Sequence, residues 1–238
     1  MFKSRVLAGS LFLLLASSSL FATSVVLIER FDDVSTLAGS GWTMVNNSAP
    51  LGTSGWFQGD NGVFTAQDGS LGGYVAANFL NAAYPPGGGN VSNWLITPVL
   101  SLQWDLRLVF YTRTEPQAIP GDSLEVRLST NGASSNVGAT DSSVGDFTAL
   151  LLAVPALPAS GYPEDWTQFT VNVTGLGAPA TGRFAFRYNV LDTSVNGDYI
   201  GLDTVSVTAS PEPATLGLIA FGFGAAVLLR RFRPGNQV

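Results

Sequence analysis

Between residues 25 and 208, apolar side chains recur at every second position in one segment after another. Outside the two ends of the chain, no stretch keeps a 3.6-residue period. Period two marks a strand with one buried face, because successive side chains on a strand point to opposite sides. In GDSLEVRLST, Leu124, Val126 and Leu128 alternate with Glu125 and Arg127. In GRFAFRYNV, Phe184, Phe186 and Tyr188 alternate with Arg183, Ala185 and Arg187. Phe169, Val171 and Val173 stand in the same relation to Gln168, Thr170 and Asn172. The segments VVLIERF, GWTMVN, GWFQG, GYVAANF, NWLITPVL, LRLVFYTR, FTALLLA and YIGLDTVSV extend the series. Turn residues separate them: Asn-Gly pairs at 61–62, 131–132 and 196–197, and PPGGG at 85–89. Ten to twelve strands joined by polar loops predict one all-β domain over residues 25–208, an antiparallel, jelly-roll-like β-sandwich.

The chain contains no cysteine and no histidine. That excludes disulfides, thiol and imidazole catalysis, and His/Cys zinc sites. Residues 25–210 hold six arginines, no lysine and sixteen acids, a net charge of −10. Such a body cannot neutralise a phosphate backbone, which argues against nucleic acid as a partner and favours cations. Any catalysis would rest on carboxylates or a metal. Paired Asp/Glu residues hydrolyse glycosidic bonds when correctly spaced. Here Asp32 and Asp33 would point to opposite faces of a strand, and Glu164-Asp165 follows Pro163 in a loop, so both pairs read as solvated acids. No Gly-x-Ser-x-Gly elbow exists, and the glycine-rich run at 87–89 lacks the Lys-Ser/Thr of a phosphate cradle. Among five tryptophans, Trp42 and Trp94 read as core. Trp56, in TSGWFQGDNG, and Trp104, beside Asp105, are the candidates for rings that stack on sugar, with core or rim packing as the alternative.

The two ends carry an address. Lys3 and Arg5 precede an apolar core, Val6 to Leu15, and small residues up to Ala22, the pattern of a cleaved export signal over residues 1–22. At the other end, Pro211-Glu212-Pro213 is followed by sixteen uncharged residues, 214–229, and then by Arg230, Arg231 and Arg233. Sixteen helical residues rise about 24 Å, short of a hydrocarbon core of about 30 Å. The arginines would stay cytoplasmic, leaving the acidic body outside. The tripartite segment 209–238 resembles the PEP-CTERM sorting signal of Gram-negative bacteria. The resemblance implies an export translocon, signal peptidase and exosortase as partners, and passage through the inner membrane to the cell surface or extracellular matrix.

The order of landmarks in the body also resembles a family. ERFDDVSTLAGSGWTMVNNS, SGWFQGD, SNWLITPVLSL and the closing GDYIGLDTVSV are similar to the choice-of-anchor J domain, which is akin to the cleaved-adhesin domains of secreted bacterial proteins. Two departures are the proline missing before Gly41-Trp42 and Thr204 where the family commonly has Asn. The resemblance implies a structural Ca²⁺ near the first and last strands, held by Glu29 and Asp203 with Asp198. Pairing of these acids with an arginine such as Arg187 is the alternative. Taken together, the readings predict an exported, non-catalytic adhesive, structural or carbohydrate-binding module that meets extracellular polysaccharide. The alternatives are a secreted carbohydrate-active hydrolase and a plain tail-anchored periplasmic domain.

Overall fold

The alternation in the sequence becomes two antiparallel sheets, seen in a computed structural model that describes residues 23–83, 88–118, 121–155 and 161–210. The twelve strands are β1 (Ser24–Glu29), β2 (Thr43–Asn46), β3 (Phe57–Gln58), β4 (Val75–Asn78), β5 (Val91–Ile96) and β6 (Leu100–Ser101), followed by β7 (Asp105–Thr114), β8 (Leu124–Ser129), β9 (Ala149–Val154), β10 (Thr167–Val173), β11 (Thr181–Val190) and β12 (Tyr199–Ser210). One sheet runs β10-β7-β12-β4-β3, with β1 added against β12; the other runs β2-β5-β11-β8-β9, with β6 added against β11. The last strand reaches Ser210, two residues past the expected end of the sandwich. Helical structure among the described residues is limited to two 3₁₀ turns, Val34–Thr36 and Phe79–Asn81. No helix among them is long and apolar enough to cross a membrane. The predicted export signal, the Pro-Glu-Pro motif, the apolar span 214–229 and the arginine cluster lie outside the described residues.

The main core lies between the sheets. Leu124, Val126 and Leu128 of β8 meet Phe184, Phe186 and Tyr188 of β11 there, as alternation requires. The facing sheet supplies Leu106, Leu108 and Phe110 of β7, with Phe110 edge-on to Phe186 at 5.2 Å. The last strand changes phase partway along. Ile200 and Leu202 are buried in its first half, Val205, Val207 and Ala209 in its second. The switch is a bulge: the register against β7 shifts between Asp203 and Ser206, and Thr204 sits at φ 47°. A left-handed β-branched residue is uncommon.

Both sheets also carry a second, smaller core on the outside. On the first, the 59–73 segment folds over β4 and β12, stacking Phe64 on Tyr74 at 4.9 Å with Tyr199 and Trp166 edge-on. On the second, the 130–147 segment lays Val137 and Phe147 over Trp94, Ile96 and Ala185. The second lid holds Arg187, on the polar side of the β11 alternation, through the Asp141 carbonyl, while Arg183 is buried against the Gly41 carbonyl and the Thr43 hydroxyl. Trp42 and Trp94 are core, as the sequence indicates. Trp56 is a correction. It is 5% exposed and packed in the main core, so its ring faces protein and is closed to a sugar. The neighbouring Phe57 begins a strand on the sheet's other side, and alternation turns Trp56 inward. Trp104 is half-buried against the same core.

Candidate functional site

At one end of the sandwich, β7 stops at Thr114, β8 starts at Leu124, and β11 turns through residues 191–198 into β12. At the other end, Ser24 pairs with Ala209 and Ser210 with Asp105, so the first and last strands of the domain begin and finish together. The twelve residues of β12 put roughly 36 Å between the two ends.

The first end is organised around a carboxyl group that the sequence reading passed over. Asp122 is 3% exposed. Its Oδ1 accepts from the Tyr188 hydroxyl at 2.5 Å and from the Asp198 N–H at 2.9 Å. Its Oδ2 lies 2.9 Å from the Thr114 hydroxyl, which itself lies 2.8 Å from the Tyr199 carbonyl. A hydroxyl has one hydrogen, and a carbonyl can only accept. Both contacts are hydrogen bonds when Asp122 carries the proton, donating to Thr114 while Thr114 donates to the carbonyl. Burial, the largest influence on Asp122, acts in the same direction by pushing its pKa up. The group ties strands of both sheets together. Burial also raises the pKa of the Tyr188 and Tyr162 hydroxyls nearby, and Tyr162 is hydrogen-bonded to Thr112 at 2.6 Å.

Next to it stand Glu115 and Asp198. Desolvation, and then a side-chain hydrogen bond to Asp198, raise the pKa of Glu115. Two carboxyl groups in direct contact lie closer than the roughly 5–9.5 Å at which glycosidase pairs work. Outside this group a cleft of about 300 Å³ opens between the start of β8, the end of β9 and the 191–198 turn. Asp122 forms part of its floor and Tyr162 part of its wall.

The expected calcium ligands are placed apart. Asp198 belongs to the Asp122 end, five residues along β12 from Asp203. Asp203 is fully buried at the bulge. Its Oδ2 accepts from the N–H groups of Gln67 and Asp68 at 2.8 and 3.2 Å, and its Oδ1 from the Thr204 N–H at 2.6 Å. Desolvation nevertheless lifts its pKa to about 6. Glu29 turns back on the chain, and its Oε1 accepts from the N–H groups of Arg30 and Phe31 at 3.1 and 2.9 Å. Among the described residues, no group of three or more His, Cys, Asp or Glu is gathered as a metal site would need. With N–H donors already directed at its oxygens, Asp203 as placed does not fit a calcium cage with the other two. Arg187 pairs with neither Glu29 nor Asp203. Its partner is Glu125, at 3.1 Å.

Sequence reasoning missed Asp122, Tyr188 and Tyr162 as a group because they come from three distant segments. The available signal was a lone acid after a glycine, directly ahead of an apolar strand.

Fold and site together define a class: an all-β, two-sheet antiparallel sandwich with a cleft at the end remote from Ser24 and Ser210. No protein-family model matches the chain, and no curated protein is similar to it. Among solved structures it is similar to the K1 cleaved adhesin domain of Lys-gingipain from Porphyromonas gingivalis, at 21% identity and a TM-score of 0.54, covering 77% of this chain and 97% of that one. It is similar also to the K3 cleaved adhesin domain of the same protein, at 21% identity and a TM-score of 0.53, covering 79% and 99%. A looser likeness, at 12% identity and a TM-score of 0.43, is to a xylan-binding domain from Paenibacillus barcinonensis, covering 81% and 99%. At 21% identity the likeness to the two adhesin domains speaks for the fold alone.

Proposed function

We propose that this chain is an exported, surface-displayed, non-catalytic domain that acts as an adhesive or carbohydrate-binding module. The observation that carries the reading is the use of the acids at the cleft end. Asp122 is engaged by Tyr188, Thr114 and the Asp198 N–H, and Glu115 and Asp198 are engaged with each other. Glu115 and Asp198, in direct contact, lie closer together than a glycosidase pair, which needs space for a sugar bond or a water between its carboxyl groups. The arrangement is that of a rigid presenting scaffold. The leader at 1–22 and the PEP-CTERM-like tail with Arg230, Arg231 and Arg233 support export and sorting by an exosortase, with the domain ending at the cell surface or in secreted matrix. A domain joined to the rest of its chain at one end is free to present the other, and here the cleft is at that other end.

Intact-mass analysis of secreted, membrane and cytosolic fractions tests the reading. Export with sorting yields a species lacking residues 1–22 and the arginine cluster. A full-length chain confined to the cytosol overturns it. Release of reducing ends from polysaccharide, abolished by substituting Glu115 or Asp198, would favour a hydrolase instead.

A further inference from the structure

We infer that the cleft at the Asp122 end is the binding site of the domain, and that it takes an uncharged sugar unit of a polysaccharide. The inference rests on the adhesive or carbohydrate-binding reading above and gives that reading a place and a specificity.

The polar groups of the cleft are ready to bind. Ser123 and Asn189 are neighbours across the sheet, the Asn189 N–H donating to the Ser123 carbonyl at 2.9 Å. Both line the cleft, and among the described residues neither the Ser123 hydroxyl nor the Asn189 carboxamide has a hydrogen-bond partner. Between them they supply a hydroxyl, an amide carbonyl and an amide NH₂, donors and acceptors at once. An uncharged polyol needs both from one small surface. Neither side chain is free to drift far, because each backbone is fixed by the same strand pairing. Asn196, on the opposite side, donates its amide to the Leu191 carbonyl at 2.8 Å and so keeps its carbonyl oxygen in a set position. Gly121 makes room for it, since a Cβ there would stand 2.5 Å from the Asn196 Oδ1.

Apolar surface completes the cleft. Leu191 is 66% exposed and lines the cleft with Pro155 and Tyr162. A few fixed polar groups set in an apolar wall are the usual make-up of a small-ligand site, and about 300 Å³ is at the small end of the range.

Charge narrows the choice of sugar. Among the described residues no lysine or arginine lines the cleft, and the Glu115–Asp198 pair stands close by. A uronic-acid or sulfated chain would bring negative charge to a site with no cation to receive it. A neutral chain meets no such barrier.

The test is isothermal titration of the exported protein with cellohexaose, xylohexaose and mannohexaose, beside oligogalacturonate and a chitosan oligomer. Two variants accompany it, Ser123→Ala/Asn189→Ala and Leu191→Ala, each checked by thermal melting. The expected result is binding to at least one neutral hexaose and weaker or no binding to oligogalacturonate. Each variant should weaken that binding about tenfold or more, the loss of roughly one to two hydrogen bonds or an equivalent apolar contact. Neutral binding that survives in both variants overturns the site and leaves the adhesive reading standing. Binding confined to oligogalacturonate or to the chitosan oligomer overturns the specificity. If none of the five binds, the inference falls, while export and sorting remain to be judged by mass analysis.

Discussion

Gly201 leaves the space that Phe64 and Trp166 fill: a Cβ on this residue would come within 2.8 Å of the Phe64 ring and 2.9 Å of the Trp166 ring. The glycine is in mid-strand, where it weakens a sheet unless something lies close above it. What lies above it is the outer aromatic cluster, with Phe64 held further by the Arg113 guanidinium 4.5 Å from its ring centre. Trp166 is fixed in turn by its indole N–H, which donates to the Thr65 carbonyl at 2.8 Å. Gly201→Ala should therefore overpack the cluster and cost about 1–3 kcal/mol. Urea unfolding measures the loss, and the Trp166 fluorescence should shift with it. Unchanged stability and fluorescence would mean that the 59–73 segment is not seated on β12 as described.

Asp122 and Tyr188 provide a sharper test, because whether Asp122 carries a proton decides which substitution is tolerated. An asparagine keeps the acceptor for Tyr188 and Asp198 and puts an NH₂ donor where the acid O–H faces Thr114. Asp122→Asn should cost less than about 1 kcal/mol. Asp122→Ala strands the Tyr188 hydroxyl and the Asp198 N–H and should cost several-fold more, at about 1–3 kcal/mol for each group left unsatisfied. Tyr188→Phe removes one donor and should fall between the two. If Asn proves as damaging as Ala by denaturant titration, Asp122 is ionised in the folded protein.

How much of this was legible beforehand depends on where the period breaks. The inward faces of β8 and β11 were readable because Leu124–Val126–Leu128 and Phe184–Phe186–Tyr188 keep strict alternation. Their outward faces were not, because Ala185 and Arg187 look solvent-exposed until the aperiodic 130–147 segment covers them. The bulge at Thr204 shifts the phase within one apolar run, so YIGLDTVSV reads as a strand without showing that its two halves bury opposite parity. The site was hidden for a related reason. Asp122, Tyr162, Asn189 and Asn196 come from four segments, and no local pattern marks residues brought together only by sheet pairing.

Arg187 is held on every side, and that predicts an asymmetry between arginine and lysine. Its Nε donates to the Ser92 hydroxyl at 3.0 Å and one terminal nitrogen to Glu125 at 3.1 Å. The other terminal nitrogen donates to the Asp141 carbonyl, tying down the 130–147 segment. The guanidinium carbon lies 5.1 Å from the Trp94 ring centre. An ammonium cannot reach in three fixed directions and stack at once. Burial works to raise the pKa of Glu125, yet Arg127 and Arg187 hold it below the usual carboxylate value. Arg187→Lys should cost about 2 kcal/mol, and Arg187→Met, which leaves Glu125 with Arg127 alone, about 3–5 kcal/mol. Amide exchange should report earlier opening of residues 130–147 in both. Wild-type stability in the lysine variant would show that the fork is not needed.

Asp203 makes the domain's stability depend on pH in an unusual direction. In the unfolded chain an aspartate titrates near its ordinary value of about 3.9. In the folded chain burial lifts Asp203 to about 6, against the N–H groups of Gln67, Asp68 and Thr204 that favour the charge. Between those values the folded state holds a proton that the unfolded state has already lost. The folded state therefore binds more protons, and stability must fall as pH rises through the window. Its contribution is complete below about pH 4 and gone above about pH 6, with an upper limit of about 3 kcal/mol. Glu125, shifted the other way, loses its contribution only as pH falls below the ordinary carboxylate range, so the two effects separate. Asp122 and Glu115 add to the same downward trend as Asp203, which makes Asp122→Asn/Glu115→Gln the proper background for the measurement. Urea midpoints at pH 4, 5, 6 and 7 should decline steadily in that background and flatten when Asp203→Asn is added. Equal slopes with and without Asp203→Asn would mean that the bulge carboxylate is ionised throughout and that Gln67, Asp68 and Thr204 outweigh its burial.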